Sequence, residues 1–433
     1  MENVNIFWFR RDLRIDDNHG LFQALIAGLP VVPVFIFDPA ILAQFPNPKD
    51  ARLTFIYQSL CELDREFRKY NSSLQIYFSS PDVVFGRLAA KYQIGAVYLN
   101  TDYEPVSIAR DRKVAKILQD KGIDFLSFKD QIIFHQDEIH KSDGHPYTVF
   151  TPYSKKWKEE LASQYIKDYP SENHLSNLKH LSSEYFPELQ EIGYQVQKIQ
   201  FPEKTFDRSV IENYAKIRDF PAENGTSRLG IHLRFGTISI RKLTRFAQIH
   251  SEVFLNELIW RNFYMDILWH FPQVVEKSFK PAYDFIPWLN NEVDFERWCT
   301  GQTGYPLVDA GMRELNETGY MHNRVRMVVA SFLTKHLLID WRWGETYFAS
   351  KLLDYELASN NGGWQWAAGS GCDASPYFRV FNPDLQTRKF DRQMQYIRKW
   401  VPEFETLSYP KPMIDHAFAR NRAIETYKKA LKN

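Results

Sequence analysis

The apolar residues of this chain change their period part-way along it. Up to about residue 130 they fall in short β-branched or aromatic runs closed by polar or turn residues: NIFWFRRDLR from Asn5, LPVVPVFIFD from Leu29, LQIYFS from Leu74 and IGAVYLN from Ile94. Between them lie helical patterns such as ARLTFIYQSLCELDREFRKY and PVSIARDRKVAKILQDKG. Strands alternating with helices of that length are the pattern of a parallel sheet, so residues 1–130 are expected to form an α/β domain. After Phe201 the period is 3.6, as in EVFLNELIWRNFYMDILWHF and YMHNRVRMVVASFLTKHLL, and residues 201–433 are expected to be all-helical. That domain should end in an amphipathic helix, RNRAIETYKKALKN. Residues 131–200, rich in Pro, Ser, His and Lys, read as a long ordered connection between the domains, anchored by Trp157, Tyr165 and Tyr185.

Two domains agree with a length of 433 residues. The net charge of +1 demands neither nucleic acid nor a membrane surface, so any polyanion site must be a local patch. Cys61, Cys299 and Cys372 are too few and too widely spaced for a disulfide framework, a zinc ribbon or an iron–sulfur cluster. The N-terminus reaches charge at once, and no apolar run is long enough to span a bilayer, so a cytoplasmic protein is expected. No Walker loop occurs. The one dinucleotide-like match, GSGCDA at Gly369–Ala374, lies in the helical half, follows no strand and runs into Pro376, and so reads as a packed turn.

The helical half carries the polar constellations. Glu257, Trp260, Arg261 and Tyr264 share one helix face at i, i+3, i+4 and i+7, either as a solvated amphipathic face or as a site. Asn323, Arg326 and Met327 share another, with Ala330 leaving space above them; a core stripe with an Asn cap has the same pattern. TSRLG at Thr226–Gly230 suits phosphate and equally suits a helix cap. SNNGGWQWAAGSG, from Ser359, combines amides, bare backbone and indoles, and is compatible with a tight packing corner.

Taken together, FWFRRDLRIDDNHGL, RDFPAENGTSRLG, NELIWRNFY, GYPLVDAGMRELNETGYMHNRVRM, IDWRWG and NNGGWQWAAGSGCDASPYFRVFNP resemble the photolyase and cryptochrome flavoproteins, in order and over nearly the whole chain. HNRVRM with NNGGWQWAA most resembles the class I cyclobutane pyrimidine dimer photolyases. The resemblance implies a Rossmann-like antenna domain, an all-helical FAD-binding domain, and light-dependent dimer repair by electron transfer from photoexcited reduced FAD. It implies damaged duplex DNA as partner and a monomer, with no membrane and no metal.

By the same resemblance, Tyr214, Thr226, Ser227, Arg228, Leu229 and Gly230 match positions that hold the FAD phosphates and ribityl, with Gly230 where the family often has Ser. Asp354 and Glu356 match an acidic pair at the flavin, Arg326 is expected to pair with Asp354, and Asn360 matches the amide at flavin N5. Plant-type signalling cryptochromes usually carry Asp there. Glu257, protonated, is expected to hydrogen-bond the dimer bases; Asn323 and Met327 match the dimer pocket, and Trp260 and Trp366 its hydrophobic wall. Trp364, Trp341 and Trp288 match a tryptophan chain that carries electrons to oxidised FAD, although three core tryptophans would read alike. A dimer inside a duplex must be flipped out, for which photolyases are themselves a standard example. Arg218, Arg261, Arg324 and Arg379 are candidate phosphate contacts, and Tyr264 joins Trp260 and Arg261 among the DNA-binding residues.

A second antenna chromophore is implied for the N-terminal sheet. NTDYEPVSIARD does not reproduce the folate-binding Asn-Glu pattern, which leaves a deazaflavin, another flavin, folate or an empty pocket. Two rivals stand beside dimer repair. A cryptochrome-type blue-light receptor would need a signalling partner. A photolyase of the 6-4 photoproduct would place a His pair near Asn323, where only His322 stands.

Overall fold

A computed structural model describes residues 1–163, 165–182 and 185–432. The chain divides into two compact units that are discontinuous in sequence: Met1–His135, Leu161–Thr205 and Arg228–Phe246 in one, Gln136–Glu160, Phe206–Ser227 and Ala247–Asn433 in the other. These units differ from the expected division at residues 130 and 200, because the connection contributes to both and a later segment returns to the first.

The first unit is built on a five-stranded parallel sheet, β1 (Asn3–Phe9), β2 (Val31–Phe37), β3 (Gln75–Phe78), β4 (Gln93–Asn100) and β5 (Asp124–Phe128), in the order β3-β2-β1-β4-β5. The runs quoted above supply the first four strands; the apolar residues of β1, β2 and β4 are buried on both faces, as a helix-covered parallel sheet requires, while the edge strand β3 leaves Phe78 exposed. The helices Ala51–Arg68 and Pro105–Gln119 start where an Asp50 cap and an N1 proline place them. The ends of β1 and β4 are closed by side chains. Asn100 donates to Asp12 at 2.6 Å and to Asn18 at 2.7 Å, so the polar groups at this turning point of the sheet satisfy one another.

The second unit is helical, and every named strand lies before residue 129. Its central helices are Glu252–His270, Asn323–Ser331, Trp341–Lys351 and Leu357–Ala368, and a final helix spans His416–Ala430. GSGCDA is a helix end, with Gly369 in the left-handed region at φ 90° as the cap of Leu357–Ala368. Within the connection, residues 150–163 form a helix whose Trp157 is buried. Tyr165 and Tyr185 do not anchor it by burial: they are 81% and 70% exposed.

Candidate active site

The expected helix faces converge in the second unit on a cavity of about 410 Å³. Glu252–His270 contributes Glu257, Trp260, Arg261 and Tyr264, and Asn323–Ser331 contributes Asn323, Arg326, Met327 and Ala330. Asp354, Glu356, Asn360, Gly363, Trp364 and Trp366 supply another side, and Arg218 lies at the C-cap of Arg208–Ile217. Each helical set was spaced at i, i+3, i+4 and i+7, so one face of each helix is turned to the same space. Phe348, Leu352 and Tyr355 add apolar surface.

The charged groups are already paired. Arg326 donates to both oxygens of Asp354 at 3.0 and 3.2 Å, as expected, while Arg261 donates to Glu356 at 3.0 Å. Arg218 pairs with Glu257, and Arg324 donates to Asp219 at 2.7 Å. Three of the four arginines considered for phosphate thus have carboxylate partners, and Arg379 is exposed beside Phe381. Burial pushes the Glu257 carboxyl up, and the Arg218 guanidinium opposes it. His322 is a helix cap whose Nδ1 accepts from the Arg324 amide, and burial lowers its pKa to about 4, leaving it neutral.

Asn360 donates from its side-chain amide to the Glu345 carboxylate at 2.8 Å and to the Glu345 carbonyl at 3.1 Å. Both N–H groups are therefore engaged, and the amide presents its oxygen as an acceptor. Burial also raises the Glu345 carboxyl, with the Asn360 contact opposing. Asn361, its neighbour, donates to the Val274 carbonyl at 2.9 Å and belongs to the packing.

Trp364 packs against Trp298 at 6.1 Å and Phe348 at 5.0 Å between ring centroids. It fits because residue 344 is Gly: a Cβ there would stand 2.1 Å from the indole. Trp341 belongs to the same buried cluster, and Trp288 packs at its margin. Neither lines the cavity. Tyr214 also lies outside the lining, edge-on to Phe254 at 5.2 Å, and Thr226 shares a 3.0 Å hydrogen bond with Tyr320. Arg228 has φ 53°, a left-handed backbone uncommon outside Gly and Asn, and Gly230 opens the short helix to Phe235. Arg228, Leu229 and Gly230 belong to the first unit, Thr226 and Ser227 to the second.

Sequence reasoning missed Glu345 and Phe150. Phe150 stacks on Trp260 with centroids 3.6 Å apart and planes 4° apart. A Glu after Gly344 and a Phe in a presumed connection carry no periodic signal.

Residues 5–172 match the family described as DNA photolyase, and residues 254–408 match the FAD binding domain of DNA photolyase. The chain is 38% identical to a deoxyribodipyrimidine photo-lyase of Synechococcus sp. over 94% of its own length and 90% of that protein's. A bacterial class III photolyase from Agrobacterium tumefaciens superposes with TM-score 0.86 at 32% identity, covering 100% of this chain and 98% of the other. An archaeal photolyase from Sulfolobus tokodaii, solved with two FAD molecules, superposes with TM-score 0.82 at 37% identity, covering 99% and 100%. The chain belongs to the DNA photolyase family and carries that family's FAD-binding domain.

The cavity fits such a cofactor. It joins indole and aliphatic walls to an Arg326–Asp354 pair, an amide oxygen and the bare backbone of Gly363, where an added Cβ would meet nothing within 4 Å and would project into open space. No helix of the described residues is long and apolar enough to cross a membrane.

Proposed function

We propose that this protein is a deoxyribodipyrimidine photo-lyase that splits cyclobutane pyrimidine dimers in damaged DNA under light. The observation that carries the reading is the convergence of Glu257, Trp260, Asn323, Met327, Asn360 and Trp366 on one cavity of the FAD-binding domain. Reduced FAD held by these residues would supply, on illumination, the electron that opens the cyclobutane ring, and would take it back, so that no net redox change occurs.

The protein holds donor against acceptor and stabilises developing charge. Arg326 with Asp354, Glu356, and Thr226 and Ser227 with Tyr214 would hold the cofactor, and the Asn360 oxygen, fixed by Glu345, would be available to it as an acceptor. Trp260 and Trp366 enclose the flipped dimer, with Asn323 and Met327 completing its pocket. Glu257, kept protonated by burial once Arg218 turns to a phosphate, donates to a base carbonyl. Arg261, Arg324, Arg379 and Tyr264 support the DNA. Trp364 starts the route through Trp341 to Trp288 that restores reduced cofactor. The first unit carries a second chromophore as antenna, and the protein acts as a cytoplasmic monomer.

The test is repair of a defined thymine dimer in duplex DNA by the purified, reduced protein. Blue light should restore thymines and darkness should not. No light-dependent repair by folded, FAD-loaded protein would overturn the reading.

A further inference from the structure

We propose that Phe150 is a positioning residue of the lesion pocket, holding the plane of the Trp260 indole against which the flipped dimer is received. This rests on the function proposed above. The two rings lie face to face, 3.6 Å apart and 4° from parallel, closer than the usual separation of an aromatic pair. Trp260 lines the cavity and Phe150 does not, so Phe150 stacks on the indole from outside the cavity lining. The other rings on Trp260, Phe263 at 5.7 Å and Tyr264 at 5.5 Å, come from its own helix and reach it at an angle. Among the described residues, Phe150 is the one ring from another element that stacks on the indole.

Phe150 is itself held at both ends. Its backbone N–H donates to the Asp373 carboxylate at 3.1 Å, and its ring meets Phe263 edge-on at 5.9 Å. It is the first residue of a helix, Phe150–Ser163, that is fastened to the Trp260 helix along one face at i+3 and i+7. Tyr153 donates to Asp266 at 2.6 Å and Trp157 to Asn262 at 3.3 Å, and both aromatic side chains are fully buried. These contacts hold the start of the Phe150 helix against the Trp260 helix. Trp260 is thereby ordered before the dimer arrives, and ordering it does not fall on the binding step. The position is readable in sequence only afterwards, as Phe150, Tyr153 and Trp157 on one face of FTPYSKKW.

The test compares Phe150→Leu and Phe150→Tyr, each alone and in a Trp260→Ala background, for dark binding to dimer-containing and undamaged duplexes and for repair at saturating substrate. Phe150→Leu should weaken dimer binding by about 2- to 12-fold, the range spanned by ordering one large side chain, and leave undamaged-duplex binding and saturated turnover alone. Phe150→Tyr, which keeps the ring, should restore dimer affinity. In the Trp260→Ala background Phe150→Leu should have no further effect. An equal loss in both backgrounds, a loss shared by undamaged DNA, or unchanged dimer affinity would overturn the inference. Thermal melting separates misfolding, and if Phe150→Leu fails to fold, Phe150→Met, which also removes the ring, takes its place in both backgrounds with the same expected and contradicting outcomes. A wild-type protein with no preference for dimer DNA would instead remove the proposed function.

Discussion

Buried charge is treated differently in the arginine network of the α/β unit and around the cavity of the helical unit; outside that network the buried Asp12 of the α/β unit is also pushed up by burial. In the α/β unit Asp130 is completely buried, which alone would raise its carboxyl, yet Arg14 at 2.7 Å and Arg241 at 2.8 Å hold it well below the usual carboxylate range. Asp102, beside Arg11, behaves in the same way. In the helical unit burial prevails: Glu257 and Glu345 are pushed up at the cavity, and Asp266, on the same helix as Glu257, is pushed up to about 8 against its hydrogen bond from Tyr153. Asp130, paired with two buried arginines, fixes structure. A carboxyl whose burial outweighs its partners stays ready to hold a proton, which suits a pocket that receives neutral bases.

The largest effect that could break this comparison is Asp130→Leu. It leaves Arg14 and Arg241 buried without that carboxylate, and should destabilise the protein by about 3–5 kcal/mol in a urea unfolding curve. A change below about 1 kcal/mol would mean that the network contributes little. Next comes Asp266→Asn. Because the folded carboxyl binds its proton more tightly than the unfolded one, its contribution is complete at low pH and is lost as pH rises through about 8. Between about pH 5 and about pH 7 the wild type should lose about 3 kcal/mol relative to the Asn variant, and parallel pH profiles would contradict the assignment.

Smaller still, Glu257→Ala should lower repair about tenfold, the worth of one strong hydrogen bond, with stability changed by less than about 1 kcal/mol. Glu257→Gln, which keeps a donor, should retain most repair; equal loss in both would exclude the donor role. The smallest effect concerns the arginines. Arg379→Ala should flatten the salt dependence of DNA binding by about 0.9 in slope, and Arg324→Ala by less, because Asp219 already neutralises it.

How much of this was legible in sequence follows the same division. Short apolar runs closed by turn residues placed β1 to β4, and the 3.6 period placed the cavity helices, because burial is written in the pattern of apolar residues. The edge strand β5 was not read: Asp124 and Ser127 point to solvent and the strand has no continuous apolar run. The helix at residues 150–163 was taken as connection, since its buried face is recognisable only with its partner helix in place. At the site, the spacing gave which residues share a face, and the family resemblance gave their roles. The pairings were hidden. Glu257 and Arg218 are 39 residues apart, Arg261 and Glu356 95, Arg324 and Asp219 105, and no local pattern connects them.

The most direct measurement takes unfolding free energy and blue-light dimer repair per folded, FAD-loaded molecule on two variants, Asp130→Leu and Glu257→Ala. The account predicts that Asp130→Leu loses stability and keeps repair under saturating light, whereas Glu257→Ala keeps stability and loses repair. Repair at the wild-type level in Glu257→Ala, or stability and repair falling together in both variants, would contradict the division between the two regions.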